Sequence, residues 1–295
     1  GETERIPLTN FQQKWDLTPG RLLCCVKRLC QHVLVRSKAV RRLHAGSLAV
    51  CGAGMVRVGC CGWAAAQARY FVALNAVEIQ QTFYEPPRPA TLERWRRTAP
   101  CKFSFTVKCF QVVTHERSSP TYRRLRRTLP AEAEVGHLRD TRLVRAAWQE
   151  TIDCALALDA AVVLVQTPPS FTPTAEHLDR LERFSRWPRP KEIRVAFEPR
   201  GSAWEALELD RLCPRFGLLR ACDPFSSSPP RPSVHPTAYF RLHGRSGYRY
   251  RYTDADCEAL LAIVRHYREA WVFFNNVSMW DDARRFRQLL QRAAG

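Results

Sequence analysis

The stretch AYFRLHG at residues 238–244 decides how this sequence folds and where its chemistry lies. Within it, the apolar residues Phe240 and Leu242 alternate with Arg241 and His243, which is the period-two pattern of a β-strand. The apolar residues need one buried face, so the two polar side chains must point into an enclosed space on the other face. A charge in such a space needs a partner or a ligand. The stretch therefore predicts a buried strand with a polar site at its carboxyl end.

The same combination of a short buried strand and a polar end recurs along the chain from Met55 onward. The eight predicted strands lie at 56–60, 76–84, 102–108, 161–166, 193–198, 218–223, 239–243 and 271–276. Helical patterns follow most of them. Alternating strands and helices predict a parallel sheet, and eight such units in about 240 residues predict a closed (β/α)8 barrel of the TIM type. An open doubly wound sheet is the alternative, but the glycine-rich phosphate turn it would carry after the first strand is missing.

Residues 1–54 have a different composition from the rest of the chain. They are rich in arginine and lysine, and Glu2, Glu4 and Asp16 are their only acids. Such a segment is either a targeting sequence or a basic extension that is disordered or not native, and we expect the second. The predicted barrel domain is then 55–295.

The overall charge is strongly basic, with 46 Lys and Arg against 28 Asp and Glu and a net charge of +18. This charge predicts attraction to nucleic acids, anionic membrane surfaces or phosphorylated metabolites. Most of the basic residues are arginine, so genome composition is an equally good explanation. No apolar run of about 18 residues predicts a membrane span. The 12 cysteines form no C-x-x-C pair and are expected to be free buried thiols, which together with the lack of an export signal predicts a cytoplasmic protein.

Polar residues gather at the predicted strand ends, where barrels of this type build their active sites. The candidates for catalysis are Glu78, Lys108, Glu198 and His243. The candidates for substrate binding are Gln80, Thr82, Tyr84, His115, Gln166, Arg200, Asp223, Arg241, Asn275 and Asn276. A single polar residue in a barrel is a satisfied interior group, but a set of converging charges is typical of a site that tunes pKa values for proton transfer.

The connection at 109–140 is unusually long and leaves the barrel on the side of the candidate site. Thr114 and His115 at its start are near enough to the strand end to reach that site. Its arginines are Arg117, Arg123, Arg124, Arg126 and Arg127. They predict either a phosphate-binding lid or a solvated basic loop.

The sequence predicts no cofactor and no bound metal, although a divalent metal is not excluded. Oxygen and nitrogen ligands are available at Glu78, His115, Glu198, Asp223 and His243. No H-x-H or H-E-x-x-H spacing indicates zinc, and the nearby cations Lys108 and Arg241 would repel a metal.

The strand ends also carry a family resemblance. The motifs are GCCGW at 59–63, VEIQQTFY at 77–84, FTVKCFQVVTH at 105–115, QTPPSF at 166–171, AFEPRG at 196–201, DPF at 223–225, YFRLHGR at 239–245 and FFNN at 273–276. Together they resemble the domain of unknown function family 72, also called YecE-like, in its archaeal form. The resemblance implies a (β/α)8 barrel similar to those of endonuclease-four-like and sugar-isomerase-like proteins, with no established reaction. Cys61 stands where many relatives have serine, and the loop after Trp63 is short.

Three functions follow from these residues. The first is an enzyme of the hydrolase, lyase or isomerase type that acts on a small anionic substrate, phosphorylated or sugar-like. In it, Arg241 and Lys108 would hold the anion, while a glutamate and His243 would exchange protons. The second is a nucleic-acid-binding protein or phosphodiesterase that uses the basic loop 109–140. The third is a non-catalytic small-molecule binder; the sequence leaves the oligomeric state open.

Overall fold

A computed structural model describes residues 54–204 and 208–294. The predicted basic extension lies outside these residues except for Gly54. The strands are β1 Met55–Cys60, β2 Ala76–Ile79, β3 Ser104–Lys108, β4 Val162–Thr167, β5 Arg194–Pro199, β6 Leu219–Cys222, β7 Thr237–Leu242 and β8 Glu269–Phe274. The helices are α1 Gln67–Ala73, α2 Gln81–Tyr84, α3 Pro89–Thr98, α4 Gln111–Thr114, α5 Arg142–Ala157, α6 Ala175–Ser185, α7 Leu209–Arg215, α8 Asp254–Val264 and α9 Met279–Ala294. Short 3-10 turns lie at Pro120–Arg124 and Ser202–Trp204.

The eight strands are all parallel and follow the order β1-β8-β7-β6-β5-β4-β3-β2. The ends of this order meet again between β1 and β2, so the sheet forms a nearly closed ring with helices outside it. The predicted (β/α)8 barrel is confirmed. Among the described residues, no helix combines the length and apolar character needed to cross a membrane.

The ring closes through very few backbone contacts. Cys61 and Glu78 form a single parallel bridge, and the Gly62 amide donates to the Glu78 carbonyl at 2.8 Å. Gly59 makes this approach possible, because a Cβ at that position would lie 2.2 Å from the Ala76 carbonyl oxygen. A side chain there would push the two strands apart.

Two side chains replace the backbone hydrogen bonds missing from this seam. The Asn75 side chain accepts a hydrogen bond from the Val58 amide at 2.7 Å and donates one to the Val56 carbonyl at 3.1 Å. The Tyr70 hydroxyl accepts from the Cys60 amide at 2.7 Å and donates to the Ala76 carbonyl at 3.1 Å. Polar groups of β1 and β2 that would otherwise be buried without partners are satisfied in this way.

Alternation along the strands separates an outer core from the barrel interior. Phe240 and Leu242 pack outward into the layer between strands and helices, as the pattern in 238–244 predicts. The interior is a smaller apolar cluster of Cys61, Ala76, Val162, Leu164, Ala196, Ala221, Tyr239, Trp271 and Phe273. Small residues of one strand face the large aromatic residues of others, which fills the barrel as a packed core.

A charged network closes the interior at the amino-terminal ends of the strands. Glu269 on β8 accepts from Arg57 on β1 and from Arg194 on β5, at 2.5 Å in each case. Arg57 also donates to the Ser104 hydroxyl at 2.9 Å and lies 4.4 Å above the Trp271 ring. These contacts close the barrel interior at the amino-terminal ends of the strands.

The structure corrects one predicted strand. The strand predicted at 76–84 ends at Ile79, and the chain then turns into α2. Thr82 stabilises this turn, since its hydroxyl lies 3.0 Å from the Ile79 carbonyl and 2.7 Å from the Lys108 carbonyl, both of which can accept from it. Side chains after Ile79 therefore do not continue the alternation that the sequence predicted. The other predicted strands are present, with ends shifted by one or two residues.

Candidate functional site

Arg241 lies at the centre of the polar site. Strand β7 directs its guanidinium into the barrel, where the residue is 1% exposed. One amino group donates to Glu78 on β2 at 2.9 Å, and the other donates to Glu198 on β5 at 2.6 Å. Burial alone would lower the pKa of Arg241, but the two carboxylates raise it well above its ordinary value. Arg241 is thus a permanent cation whose donors are occupied by protein carboxylates.

Neighbouring side chains hold Glu78 in place. Tyr239 donates to one of its oxygens at 2.7 Å, and the side-chain amide of Gln80 donates to the other. The Tyr239 hydroxyl is also 3.0 Å from the Thr106 hydroxyl. Burial raises the pKa of Tyr239 well above its ordinary value, so it stays a donor. Glu78, Tyr239 and Arg241 together form a rigid floor below the mouth of the barrel.

Glu198 joins this floor to the next strand end. Its second oxygen accepts from Arg200 at 2.8 Å, so both of its oxygens are engaged by arginines. Burial acts to raise the pKa of Glu198, but Arg241 and Arg200 outweigh it and hold that pKa below its ordinary value. Glu198 is a fixed carboxylate near neutral pH. Its geometry favours holding the two arginines over exchanging protons with a substrate.

Lys108 differs from Arg241 and Arg200, whose charges are paired with carboxylates. It ends β3 and is 8% exposed, and its ammonium lies 3.9 Å from the centre of the Phe83 ring. No carboxylate of the described residues forms an ion pair or hydrogen bond with it. Burial, followed by the charge of Arg241, lowers its pKa to about 8, while Glu78 and Glu198 oppose the shift. Lys108 therefore exchanges protons close to physiological pH.

His243 and Asp223 form a second group beside Arg200. The imidazole Nε2 of His243 accepts from Arg200 at 2.6 Å, which leaves the ring proton on Nδ1. Nδ1 faces an Asp223 oxygen at 3.6 Å, and the same oxygen accepts from the His243 amide at 2.8 Å. The Nε of Arg200 is also buried without a hydrogen-bond partner among the described residues. A buried donor of this kind is a place for a ligand oxygen.

Two of the cavities lined by described residues lie at this end of the barrel. One, of about 410 Å³, is bordered by His115 and Gln166 together with the loops after β3 and β4. The other, of about 670 Å³, is bordered by Glu198, Arg200 and Asp223 and by the loops after β5 and β6. The strand register places Gln166 next to Glu198. Gln166 and Glu198, which border different cavities, are therefore neighbours at the ends of β4 and β5.

His115 lies in the wall of the smaller cavity. Its Nδ1 is 2.8 Å from the Thr114 hydroxyl, and its ring packs edge-on against Phe83. Burial, followed by the charge of Lys108, lowers the pKa of His115 to about 3. His115 is therefore neutral at physiological pH and can bind a ligand only through neutral hydrogen bonds.

Four predicted binding residues are not brought into the polar cluster. Thr82 is used by the turn after β2, and Tyr84 packs under Arg124, whose guanidinium carbon is 4.5 Å from its ring centre. Asn276 donates to the Tyr250 carbonyl and to Asp282, at 2.7 Å in each case. It therefore fastens the loop after β7 to α9. Asn275 is half-buried, and its backbone amide continues the pairing of β8 with β7.

The candidates named from the sequence leave out two members of the site. Tyr239 shares the inward face of Arg241, as period-two alternation along the strand indicates. Cys61 extends from β1 so that its sulfur lies 3.5 Å from Arg241, and burial raises the pKa of its thiol well above the ordinary value. No sequence motif marks Cys61 as a contact of Arg241, because the contact depends on closure of the barrel. Within the described residues, no three His, Cys, Asp or Glu side chains are grouped so that they could hold a metal ion.

The long loop 109–140 uses part of its basic charge internally. Arg127 pairs with Glu85 at 2.7 Å and with Glu150 at 2.9 Å, and Arg117 donates to the Pro130 carbonyl at 2.5 Å. The side chains of Arg123, Arg124 and Arg126 remain exposed.

Comparison with known proteins agrees with this architecture. A family model described as "Protein of unknown function DUF72" matches residues 57–295. A solved DUF72 family protein from Enterococcus faecalis V583 is 20% identical, with a TM-score of 0.63 over 81% of this chain and 98% of that one. Another from Thermotoga maritima MSB8 is 22% identical, with a TM-score of 0.61 over 80% of this chain and 99% of that one. At these identities the likeness shows the fold. No curated protein matches the chain.

Proposed function

The chain belongs to the DUF72 family, and on that premise we propose that it is an enzyme acting on a small anionic, sugar-like or phosphorylated substrate at the carboxyl ends of its strands. One observation carries the proposal. Lys108 is a buried amine without a carboxylate partner among the described residues, and its pKa is lowered to about 8 beside the Glu78–Arg241–Glu198 network. Amines of this kind are typical of sites that move protons.

The division of roles differs from the one expected from the sequence. Arg241 is occupied by two carboxylates, so we assign it to the framework and not to the substrate anion. Two buried groups remain for an anion: the Nε of Arg200, which has no hydrogen-bond partner among the described residues, and the ammonium of Lys108. Both are buried, so an anionic oxygen would meet them with little competition from water.

The chemistry that fits best is proton transfer of the isomerase or lyase type. In its neutral form, Lys108 Nζ would remove a proton from the substrate and become an ammonium. It would then return that proton to another atom of the same substrate, which restores the enzyme. Arg200, supported by Glu198 and His243, would hold the anionic group during this exchange.

The proposal is tested by incubating the protein with a cell extract and following metabolites by untargeted mass spectrometry. Wild type is compared with Lys108→Met and with Lys102→Met, a control that changes an exposed lysine before the same strand. We expect at least one anionic metabolite to be consumed by wild type and Lys102→Met and not by Lys108→Met. Equal consumption by all three would contradict the role of Lys108. Retention of a metabolite without consumption would identify a non-catalytic binder instead.

A second candidate function rests on exposed arginines at the same end of the barrel. Arg123, Arg124 and Arg126 are exposed in the loop after β3, and Arg249 and Arg251 are exposed beside Tyr248 after β7. Arginines interleaved with aromatic residues suit single-stranded nucleic acid. Binding of a labelled oligonucleotide should weaken steeply as salt rises and weaken further when the three loop arginines become glutamine. The absence of binding at low salt would dismiss this candidate.

Two finer expectations accompany the proposal and stay predictions. The motifs at the strand ends favour the YecE-like branch in its archaeal form, and the free thiols favour a cytoplasmic location. Subcellular fractionation of the native host would test the location.

A further inference from the structure

Outside the Lys108 site, one further group of side chains has the order of a nucleophile, a base and an orienting acid. Ser170, in the loop after β4, is exposed and borders the cavity of about 410 Å³. Its hydroxyl lies 3.0 Å from Nε2 of His137. The other ring nitrogen, Nδ1, faces a carboxylate oxygen of Glu116 at 3.5 Å. Glu116 borders the same cavity and is held by Arg139 at 3.2 Å.

The backbone is strained where it positions His137. Three consecutive residues, Gly136, His137 and Leu138, have positive φ angles of 76°, 50° and 54°. For the two non-glycine residues this left-handed conformation is unfavourable, because Cβ approaches the following carbonyl oxygen. Their amides donate to carbonyls of the preceding segment, with His137 bonded to Thr114 at 3.1 Å. Strain of this kind persists where the surrounding structure enforces it, and it clusters at functional sites.

The surroundings also define the protonation of His137. The ring is 4% exposed, and burial lowers its pKa to about 4, against the opposing effect of Glu116. His177 and Arg139 lower it further. The imidazole is therefore neutral at physiological pH, and the Glu116 carboxylate favours the tautomer with its proton on Nδ1. Nε2 is then free to accept the proton of Ser170.

We propose that Ser170, His137 and Glu116 form a second catalytic site, which hydrolyses small carboxylic esters through an acyl-enzyme on Ser170. The arrangement has the order of such a site: the nucleophile lies within hydrogen-bond reach of a base, and a carboxylate faces the other nitrogen of that base. The adjoining cavity gives an ester access to the exposed hydroxyl. The prolines at 120, 168 and 169 supply apolar surface along its wall.

The reaction proceeds in two balanced halves. Ser170 Oγ bonds to the ester carbonyl carbon while its proton moves to His137 Nε2. The bond from that carbon to the alcohol oxygen then breaks, and Nε2 gives its proton to the departing alcohol. Water repeats the same steps on the acyl-enzyme, releasing the carboxylic acid and restoring Ser170. Glu116 does not touch the ester and acts as a positioning residue for the imidazole.

This site does not depend on the function proposed for Lys108. Its three residues come from the loops after β3 and β4, and none belongs to the Glu78–Arg241–Glu198 network. Failure of one proposal therefore leaves the other intact.

A serine-directed fluorophosphonate tests the proposal on the full chain, with the modified residue mapped by peptide mass spectrometry. We expect one adduct, on Ser170, and its loss in Ser170→Ala. The surface position of Ser170 makes a folding failure of this variant unexpected, and circular dichroism checks it. His137→Gln should slow labelling about a hundredfold, as expected for removal of a general base. Glu116→Gln should slow it less, because it loosens the base without removing it.

Ser118 provides the matched control. It lies on the rim of the same cavity outside the proposed triad and has no imidazole partner among the described residues. Ser118→Ala should be labelled at the wild-type rate. Wild type should also release p-nitrophenol from p-nitrophenyl acetate faster than Ser170→Ala. The proposal is overturned if Ser170 carries no adduct, or if His137→Gln is labelled as fast as wild type.

Discussion

At the residue scale, Arg241 shows how a buried charge determines its own surroundings. The stretch at 238–244 predicts that this arginine points inward and needs a partner, and the structure gives it two. Both carboxylates, Glu78 and Glu198, come from other strands and are almost completely buried. Removing one member of such a group leaves the others uncompensated in a medium of low dielectric constant.

Replacing Arg241 with methionine should therefore destabilise the protein by about 3–5 kcal/mol. The loss is measured as the change in the free energy of unfolding in urea at neutral pH. Arg183→Met is the control, since Arg183 pairs with Asp179 on the surface of α6 and both side chains are more than half exposed. That pair contributes about 0.5 kcal/mol or less. Equal effects of the two substitutions would show that the network around Arg241 adds nothing to stability.

The contribution of Lys108 to the free energy of unfolding should change with pH in the opposite direction from that of a lysine in an ordinary ion pair. In the folded protein its pKa is about 8, against an ordinary 10.5. Between these values the unfolded chain binds more protons than the folded one, so the stability contributed by this group rises with pH. Below pH 8 both states are charged and the contribution is flat. Relative to Lys108→Met, wild type should gain about 3 kcal/mol between pH 8 and 10.5. A pH-independent difference between the two proteins in urea unfolding would contradict the lowered pKa.

At the element scale, the sequence predicts strands well where alternation is clear and fails where a side chain redirects the backbone. The strands that carry Lys108, Glu198 and Arg241 at or near their carboxyl ends are located to within two residues, because buried strands with polar ends have a distinct pattern. The segment after Ile79 keeps the alternation of a strand yet turns into α2, since Thr82 bonds to carbonyls of two different elements. Such a long-range contact leaves no trace in local sequence.

The closing seam of the barrel is the second feature that local patterns do not predict. Tyr70 lies on α1, and its hydroxyl joins the backbones of β1 and β2. From sequence it is only an aromatic residue on a helical face. The atoms that its hydroxyl contacts can be identified only in the folded barrel, where β1 and β2 lie side by side.

Replacing Tyr70 with phenylalanine should reduce the free energy of unfolding by about 1–3 kcal/mol, because a buried amide and a buried carbonyl lose their partner. Tyr248→Phe, at a position 56% exposed, is the control and should have no measurable effect. Urea unfolding of both variants measures the difference. If Tyr70→Phe is as stable as wild type, the seam does not need the hydroxyl and another group must satisfy these strands.

At the scale of the whole molecule, the barrel contains two charged layers separated by an apolar one. The layer at the amino-terminal ends consists of Arg57, Arg194 and Glu269, and the layer at the carboxyl ends is built around Arg241. Trp271 and its neighbours lie between them. In barrels of this type the carboxyl ends of the strands generally carry the active site, and the amino-terminal ends contribute to stability. The sequence predicts the carboxyl-end layer alone, because Arg57, Arg194 and Glu269 lie at strand starts, where no motif marks them as partners.

This division predicts that stability and activity can be changed separately. Glu269→Gln leaves two arginines facing each other at the closed end, so we expect a loss of about 2 kcal/mol in the free energy of unfolding. The arrangement around Lys108 at the other end should stay intact, and the metabolite consumed by wild type should be consumed at the same rate by folded Glu269→Gln. Glu258→Gln, at an exposed position of α8, is the control for both measurements. Loss of turnover in Glu269→Gln at temperatures where it is folded would show that the two charged layers are coupled through the apolar layer between them.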